Sequence, residues 1–147
     1  MSSDKINLEI ANRLIGTSFE IARLHGHQPM TVCVVDEGGY MISAQRQDGS
    51  SVFRYEIAYG KAWTCIAMGH STHFIEKTMS KNRPHFIDSL AAASHGRFIP
   101  ALGGVLIRSR EGRNIIGAIG ATGDSGENDE AVVIEAVERY GFEADLT

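Results

Sequence analysis

Four histidines lie within one stretch of the chain, at positions 70, 73, 85 and 95. Imidazole is the usual nitrogen ligand for haem iron or zinc, and it exchanges protons near neutral pH. No Glu-x-x-His or His-Glu-x-x-His pattern accompanies them, so the spacing does not predict a dedicated metalloenzyme site. Two interpretations stay open: surface or hydrogen-bonded core positions, or a functional pocket that contains at least one of the four. His25 and His27 follow a predicted helix and are expected to favour its negative end.

An arginine and an aspartate form a second candidate site. Arg46 and Asp48 follow a predicted strand, and Arg54 lies one turn into the next predicted helix. A guanidinium group can hold a carboxylate through two parallel hydrogen bonds, with Asp48 orienting it. The alternative is structural, with Asp48 supporting the turn or capping the helix and Arg46 as its ion-pair partner.

Lys61 is a charged residue on an otherwise apolar helical face, which it shares with Ile57 and Cys65. A lysine there is either a buried cation with an anionic partner or an extended side chain at a subunit contact. Asp36 and Asp48 are its predicted partners. A third interpretation is a base or a Schiff-base nucleophile, for which the pKa of the amine must be lowered.

Glycines recur at positions 117, 120, 123 and 126, which invites comparison with a phosphate-binding loop. The spacing matches neither G-x-G-x-x-G nor a Walker A sequence. Asp124, Glu127, Asp129 and Glu130 would also place negative charge where a phosphate would bind. The glycines are therefore predicted to be packing and turn positions.

Composition limits the classes of partner. The 147 residues carry a formal charge of −4 without a basic stripe, so we expect no nucleic acid partner. No apolar run approaches the length of a membrane span and the first residues lack an apolar signal core, so we expect no membrane partner and a cytoplasmic protein. Cys33 and Cys65 lie in apolar segments, which predicts buried free thiols. The length suits a single domain, residues 1–147.

Hydrophobic periodicity and glycine positions predict the elements that must position these residues. In the first half we expect a helix from Ser3 or Asp4 to near Gly26, strands at 30–35 and 40–46, and a helix capped by Ser50 or Ser51 and ended by Gly69. In the second half we expect helices at 72–79 and 84–93, strands at 105–108 and 114–119, and a helix from Ser125 to Gly141. The tail from 142 to 147 is predicted to fray.

Two tight hairpins separated by a helical block predict an α+β fold. The economical arrangement is an antiparallel sheet of four or five strands with helices packed on it. A parallel sheet would require strand–helix alternation, which the tight turns exclude.

Several motifs, in order, resemble the GlcG/HbpS-like haem-binding domain family, which also occurs at the C-terminus of PduO-type proteins. VVDEGGYMISAQRQDG and the helix with Gly60-Lys61-Ala62 resemble its V-V-D-x-x-G hairpin, R-x-D-G element and K-A helix. GGVLI resembles its G-G-V-P-I strand, with Leu106 in place of proline, and IIGAIGATGDSGENDE resembles its V-I-G-A-I-G-V-S-G…D-E segment. The match runs from about Met30 to Val137, although the histidine-rich stretch from His70 to Phe98 differs from the family's usual connection.

The resemblance implies a three-layer α/β/α fold, with helices on both faces of an antiparallel sheet. It also implies homo-oligomers and, in some members, binding of haem or association with corrinoids. The first functional hypothesis is therefore a small-ligand-binding homo-oligomer whose cofactor is haem or a related tetrapyrrole.

The second hypothesis is a cofactor-independent enzyme (isomerase, hydratase or lyase) acting on a small carboxylate or carbonyl metabolite. Arg46 would hold the anionic group of the substrate, while a histidine from the His70–His95 stretch and either Asp48 or Lys61 would exchange protons with it. The candidate catalytic residues are His70, His73, His85, His95 and Lys61, and the candidate substrate-binding residues are Arg46, Asp48, Arg54, Gly103 and Gly104. A third hypothesis is an assembly or accessory subunit. A shared site requires the Arg46–Asp48 corner and the histidine segment to open onto one hollow, within a protomer or between neighbours.

Overall fold

The computed structural model describes residues 5–111 and 113–147, which form an alternation of helices and short strands. In the first half, the elements are α1 (Leu8–Leu24), β1 (Thr31–Asp36), β2 (Met41–Arg46), α2 (Arg54–Met68), α3 (Thr72–Phe74), a π-helical turn (Ile75–Met79) and α4 (Ser80–Asn82). The second half contains α5 (Pro84–Ala93), β3 (Gly104–Arg108), β4 (Ile115–Thr122), α6 (Gly126–Tyr140) and β5 (Glu143–Asp145).

The five strands form one sheet in the order β2-β1-β4-β3-β5, and every neighbouring pair is antiparallel. The two predicted hairpins, β1–β2 and β3–β4, are joined through the pairing of β1 with β4. All residues from Thr31 to Val35 are buried, as the apolar character of this strand predicted. The reason is that β1 has a strand on each edge and helices on both faces.

Helices cover both faces of the sheet. On one face α1 and α6 pack against each other and against alternate strand residues such as Val32, Val34 and Ile119. On the other face α2 packs on the intervening residues, among them Val35, Leu106 and Ala118. The α+β class and the three-layer arrangement are therefore confirmed.

The axis of α2 comes unusually close to the sheet because glycines lie beneath it. A Cβ atom on Gly120 would overlap the carbonyl oxygen of Ala58 and lie 2.8 Å from the backbone nitrogen of Ala62. A Cβ atom on Gly104 would lie 2.6 Å from the carbonyl oxygen of Lys61. The prediction that the glycine series serves packing is confirmed, and the close approach sets where Lys61 lies.

The start of each long N-terminal helix differs from the prediction. α1 begins at Leu8 behind an Asn7 cap, whose side chain accepts a 2.8 Å hydrogen bond from the Ile10 amide; Ser3 and Asp4 lie outside the described residues. The predicted serine cap of α2 is wrong, since this helix has no side-chain cap. Ser50 instead forms a 2.9 Å hydroxyl–hydroxyl contact with Thr31 of β1, a long-range interaction that local spacing does not reveal.

The C-terminal tail is ordered, so the prediction of fraying is wrong. Residues 143–145 add strand β5 to the edge of the sheet beside β3. The Asp145 carboxylate accepts a 2.6 Å hydrogen bond from Nε of Arg108, and Phe142 is buried. β4 also continues to Thr122, beyond its predicted end at 119, because β1 pairs with it along this whole length. Among the described residues, no helix combines the length and apolar character that crossing a bilayer requires.

Candidate functional site

A cleft of about 380 Å³ opens where β4 ends and α6 begins, and we call it the Lys61 cleft. Its walls come from α2, the π-helical turn, the segment before β3 and the start of α6. The lining residues are Arg54, Ile57, Lys61, Glu76, Ala101, Leu102, Thr122, Asp124, Gly126, Glu127 and Asp129. Two cationic side chains thus face several carboxylates in a concave site.

Lys61 is the buried cation of this cleft, with only 4% of its surface exposed. Its Nζ atom donates a 2.9 Å hydrogen bond to the carbonyl oxygen of Ala121 and lies 3.7 Å from Oδ2 of Asp129. Burial lowers the pKa of this amine, and the Asp129 carboxylate opposes that effect. The predicted partners Asp36 and Asp48 are therefore wrong, because α6 supplies the carboxylate.

Asp129 is itself almost fully buried in the first turn of α6. Burial raises the pKa of its carboxyl group, whereas hydrogen bonds from the backbone amides of Asp124 and Gly123 (2.9 and 3.3 Å) and the charge of Lys61 lower it. The carboxylate therefore ties the β4–α6 bend to α2.

Gly103 and Gly104, both predicted ligand-binding positions, lie directly against Lys61. Gly103 has a φ of 124°, and a Cβ atom there would lie 2.9 Å from Nζ of Lys61. The backbone amide of Gly104 also donates a 2.9 Å hydrogen bond to the hydroxyl of Thr72. The structure shows these glycines making room for the lysine, and ligand contact at either position stays a prediction.

Arg54 belongs to the Lys61 cleft. Its Nη1 atom donates a 2.8 Å hydrogen bond to the hydroxyl of Thr122 at the end of β4. This hydrogen bond fixes the guanidinium group at the end of β4, in the cleft that the carboxylates of α6 also line. Arg54 does not line the cleft that contains Arg46 and Asp48.

Arg46 and Asp48 line a different cleft, of about 470 Å³, beneath the end of α1. Its other lining residues are Phe19, Arg23, His27, Pro29 and Gln47. The predicted ion pair is wrong, since Arg46 and Asp48, both described, form no salt bridge with each other. None of the four histidines between 70 and 95 lines this cleft; the histidine on its wall is His27, whose Nδ1 lies 3.9 Å from Oδ2 of Asp124.

The four predicted histidines are not equivalent. Nδ1 of His73 lies 3.1 and 3.2 Å from the two carboxylate oxygens of Glu130. His70 stacks on Phe74 with ring centroids 4.1 Å apart, and its Nδ1 is buried without a hydrogen-bond partner among the described residues. His85 and His95 are exposed.

Two strands of the sheet separate His73 from the Arg46–Asp48 corner. Thr72, next to His73, is hydrogen-bonded to Gly104 of β3, whereas Arg46 ends β2. The strands β1 and β4 lie between β2 and β3, a separation of roughly 14 Å at the usual strand spacing. The cleft that Arg46 and Asp48 line is therefore not shared with these histidines, and a common hollow between neighbouring protomers stays a prediction.

Sequence reasoning assigned no site role to Asp129 and Glu130. The available signal was their position near the start of a predicted helix, within the D-E part of the motif that resembles the family. Consecutive helical residues point about 100° apart. Asp129 accordingly faces Lys61 on α2, while Glu130 faces His73 on α3. Among the described residues, no group of three or more His, Cys, Asp or Glu side chains is arranged to hold a metal ion.

Comparison with known proteins places this chain in a family. A family model described as "Haem degrading protein HbpS-like" matches residues 6–138. The chain belongs to the HbpS-like family. The match includes every residue of the Lys61 cleft and the His73–Glu130 pair, and it agrees with the resemblance of the hairpin and glycine motifs.

Relatives of known structure share the fold. A PduOC–haem complex superposes with a TM-score of 0.84, at 22% identity over 97% of this chain and 99% of that one. The ORFY protein of Klebsiella pneumoniae superposes with a TM-score of 0.81, at 24% identity over 94% of this chain and 92% of that one. An HbpS double mutant from Streptomyces reticuli superposes with a TM-score of 0.77, at 23% identity over 96% of this chain and 90% of that one. An uncharacterized 15.0 kDa protein from the dhaT–dhaS intergenic region of Citrobacter freundii is 27% identical over 130 residues, 88% of this chain and 89% of that protein.

Proposed function

We propose that this HbpS-like protein binds haem or a related tetrapyrrole, with His73 as the axial ligand of the iron. Family membership and the fold shared with a haem complex support the ligand class. The contact between His73 and Glu130 is the observation that carries the choice of residue.

A histidine that binds a metal usually donates its other ring N–H to a carboxylate or carbonyl oxygen. Glu130 is placed to accept that hydrogen bond from Nδ1 of His73, which leaves Nε2 as the ligating nitrogen. The exposure of the two side chains suits this role, because Glu130 is only 11% exposed whereas His73, which would contact the ligand, is 37% exposed. Bound haem would supply a redox-active iron whose potential depends on that second hydrogen bond.

The other predicted histidines lack this arrangement. His70 is stacked on Phe74 and has a buried Nδ1 without a partner among the described residues, so no carboxylate orients its ring. The rings of His85 and His95 have no hydrogen bond among the described residues. His73 is thus the member of the set with the carboxylate partner expected of an iron ligand.

The direct test is a titration of the purified protein, freed of bound haem, with hemin. We expect a sharpened and shifted Soret band that saturates at one haem per chain, because histidine ligation to a single site changes the haem spectrum stoichiometrically. An absorbance change that keeps growing in proportion to the added hemin, without saturating, would indicate nonspecific uptake and would contradict the proposal.

We also propose that the protein is a homo-oligomer in the cytoplasm. The helix α5 supports oligomerisation, since none of its ten residues is buried although Phe86, Ile87 and Leu90 are large and apolar. A second copy covering this helix would remove these side chains from water. The buried free thiols of Cys33 and Cys65 are compatible with a reducing compartment.

Leu90→Glu should shift the protein to a monomer of 16.0 kDa in sedimentation velocity, because a charge would have to be buried in the interface. The matched control is Ser89→Glu, which adds the same charge at the neighbouring, exposed position of α5 and should leave the oligomer intact. A wild-type protein that sediments as a monomer at micromolar concentration would refute the oligomer.

A further inference from the structure

We propose that Lys61 forms a Schiff base with a small carbonyl compound that carries one carboxylate, bound in the Lys61 cleft. This inference is separate from haem binding, because neither His73 nor Glu130 lines that cleft. Lys61, its neighbouring carboxylate Asp129 and the guanidinium-bearing Arg54 all line this one cleft.

The position of the amine suits nucleophilic attack. The Ala121 carbonyl accepts one N–H of Lys61 at 2.9 Å and fixes the end of a side chain that is otherwise flexible. The same residue lines the cleft together with Arg54 and Asp129, so the amine, a cation and a carboxylate are grouped around one space able to hold a ligand. Burial lowers the pKa of the amine, which increases the neutral fraction that can attack a carbonyl carbon.

Asp129 is the group that can move the protons, since its Oδ2 atom lies 3.7 Å from Nζ of Lys61. It accepts a proton from the ammonium group, and the lone pair of the freed amine attacks the carbonyl carbon. The carbonyl oxygen takes one proton from the attacking nitrogen to give a carbinolamine. Asp129 then gives that oxygen the proton it had accepted, so the oxygen leaves as water, the C=N bond of a protonated imine forms, and Asp129 returns to its carboxylate form. No oxidant or reductant is consumed.

Arg54 defines the ligand class. Its guanidinium group donates one hydrogen bond to Thr122 and has further N–H donors that can bind a carboxylate. The carboxylates on the remaining wall, Glu76, Glu127 and Asp124, disfavour a second negative charge on the ligand. A volume of about 380 Å³ fits a compound of a few carbon atoms. These features together select a small 2-oxo acid or carboxylated aldehyde.

The test uses the complete chain without haem, glyoxylate as the probe and cyanoborohydride to trap the imine. Peptide mapping by mass spectrometry then locates the adducts. We expect Lys61 to be labelled before the exposed lysines Lys77 and Lys81, although it is buried. Those two residues are internal controls in the same sample. Adducts on Lys77 and Lys81 with Lys61 unmodified would overturn the proposal.

A second measurement distinguishes recognition of the ligand's carboxylate in the cleft from general reactivity of the Lys61 amine. Arg54→Gln should lower the labelling of Lys61 by glyoxylate about tenfold, the value of a charge-assisted hydrogen bond to a carboxylate. Labelling by acetaldehyde, which has no carboxylate, should change little. Equal loss with both probes, in a variant whose circular dichroism matches the wild type, would mean that Arg54 recognises no carboxylate.

Discussion

Replacing His73 by alanine should remove the saturable Soret change and weaken hemin binding by about a hundredfold or more, because the iron loses its axial nitrogen. Glu130→Gln should have a smaller effect, about tenfold, since the ligand remains but the acceptor for its second N–H becomes a neutral amide. The measurement is an absorbance titration with hemin, supported by circular dichroism to show that each variant is folded.

His85→Ala and His95→Ala are the matched controls, since each removes an exposed imidazole from the same segment. Both should bind hemin like the wild type. His27→Ala tests the main competing location, because His27 lines the cleft that contains Arg46 and Asp48. Retained binding in His73→Ala together with loss in His27→Ala would move the haem site to that cleft.

Gly120→Ala should destabilise the protein by about 3 kcal/mol or more, because overpacking between rigid backbones has no flexible side chain to absorb it. The added methyl group would overlap the carbonyl oxygen of Ala58 and approach the backbone nitrogen of Ala62 to 2.8 Å. α2 would have to move away from the sheet and carry Lys61 with it. The measurement is the free energy of unfolding from urea denaturation.

Gly16→Ala provides the control for this substitution. Gly16 lies inside α1, and a Cβ atom there would meet no atom of the described residues within 4 Å. The same chemical change should therefore stabilise the protein, by up to about 1 kcal/mol, through the higher helix propensity of alanine. Equal effects of the two substitutions would contradict the close approach of α2 to β4.

The sequence predicted many local features because neighbouring residues determine them. Ser125 caps α6 by accepting a hydrogen bond from the Asn128 amide, and Gly141 ends that helix with a φ of 103°. Gly69 ends α2 in the same left-handed conformation, and α5 begins at Pro84 as expected. These signals act within one turn, so reading them requires no knowledge of the tertiary structure.

Local patterns failed where a distant element supplied the partner. Ser50 was predicted to cap α2 but contacts Thr31, and the tail predicted to fray is held by β3. The salt-bridge partner of Lys61 was sought in the early hairpin and lies 68 positions later in the chain, at Asp129. In each case only the folded chain brings the partner within reach.

By itself, the sequence determined the α+β class, the two hairpins, most helix ends and the resemblance to the HbpS-like family, because periodicity, turns and ordered motifs are written along the chain. Only the tertiary structure decided which charged residues share a site. The packing of α2 and α3 beside the start of α6 brings Lys61 to Asp129 and His73 to Glu130, whereas Arg46 and Asp48 lie in a different cleft. The physical reason is that a side chain reaches only a few ångströms. Which side chains meet is therefore decided by how whole helices and strands pack, and that packing depends on contacts between distant parts of the chain.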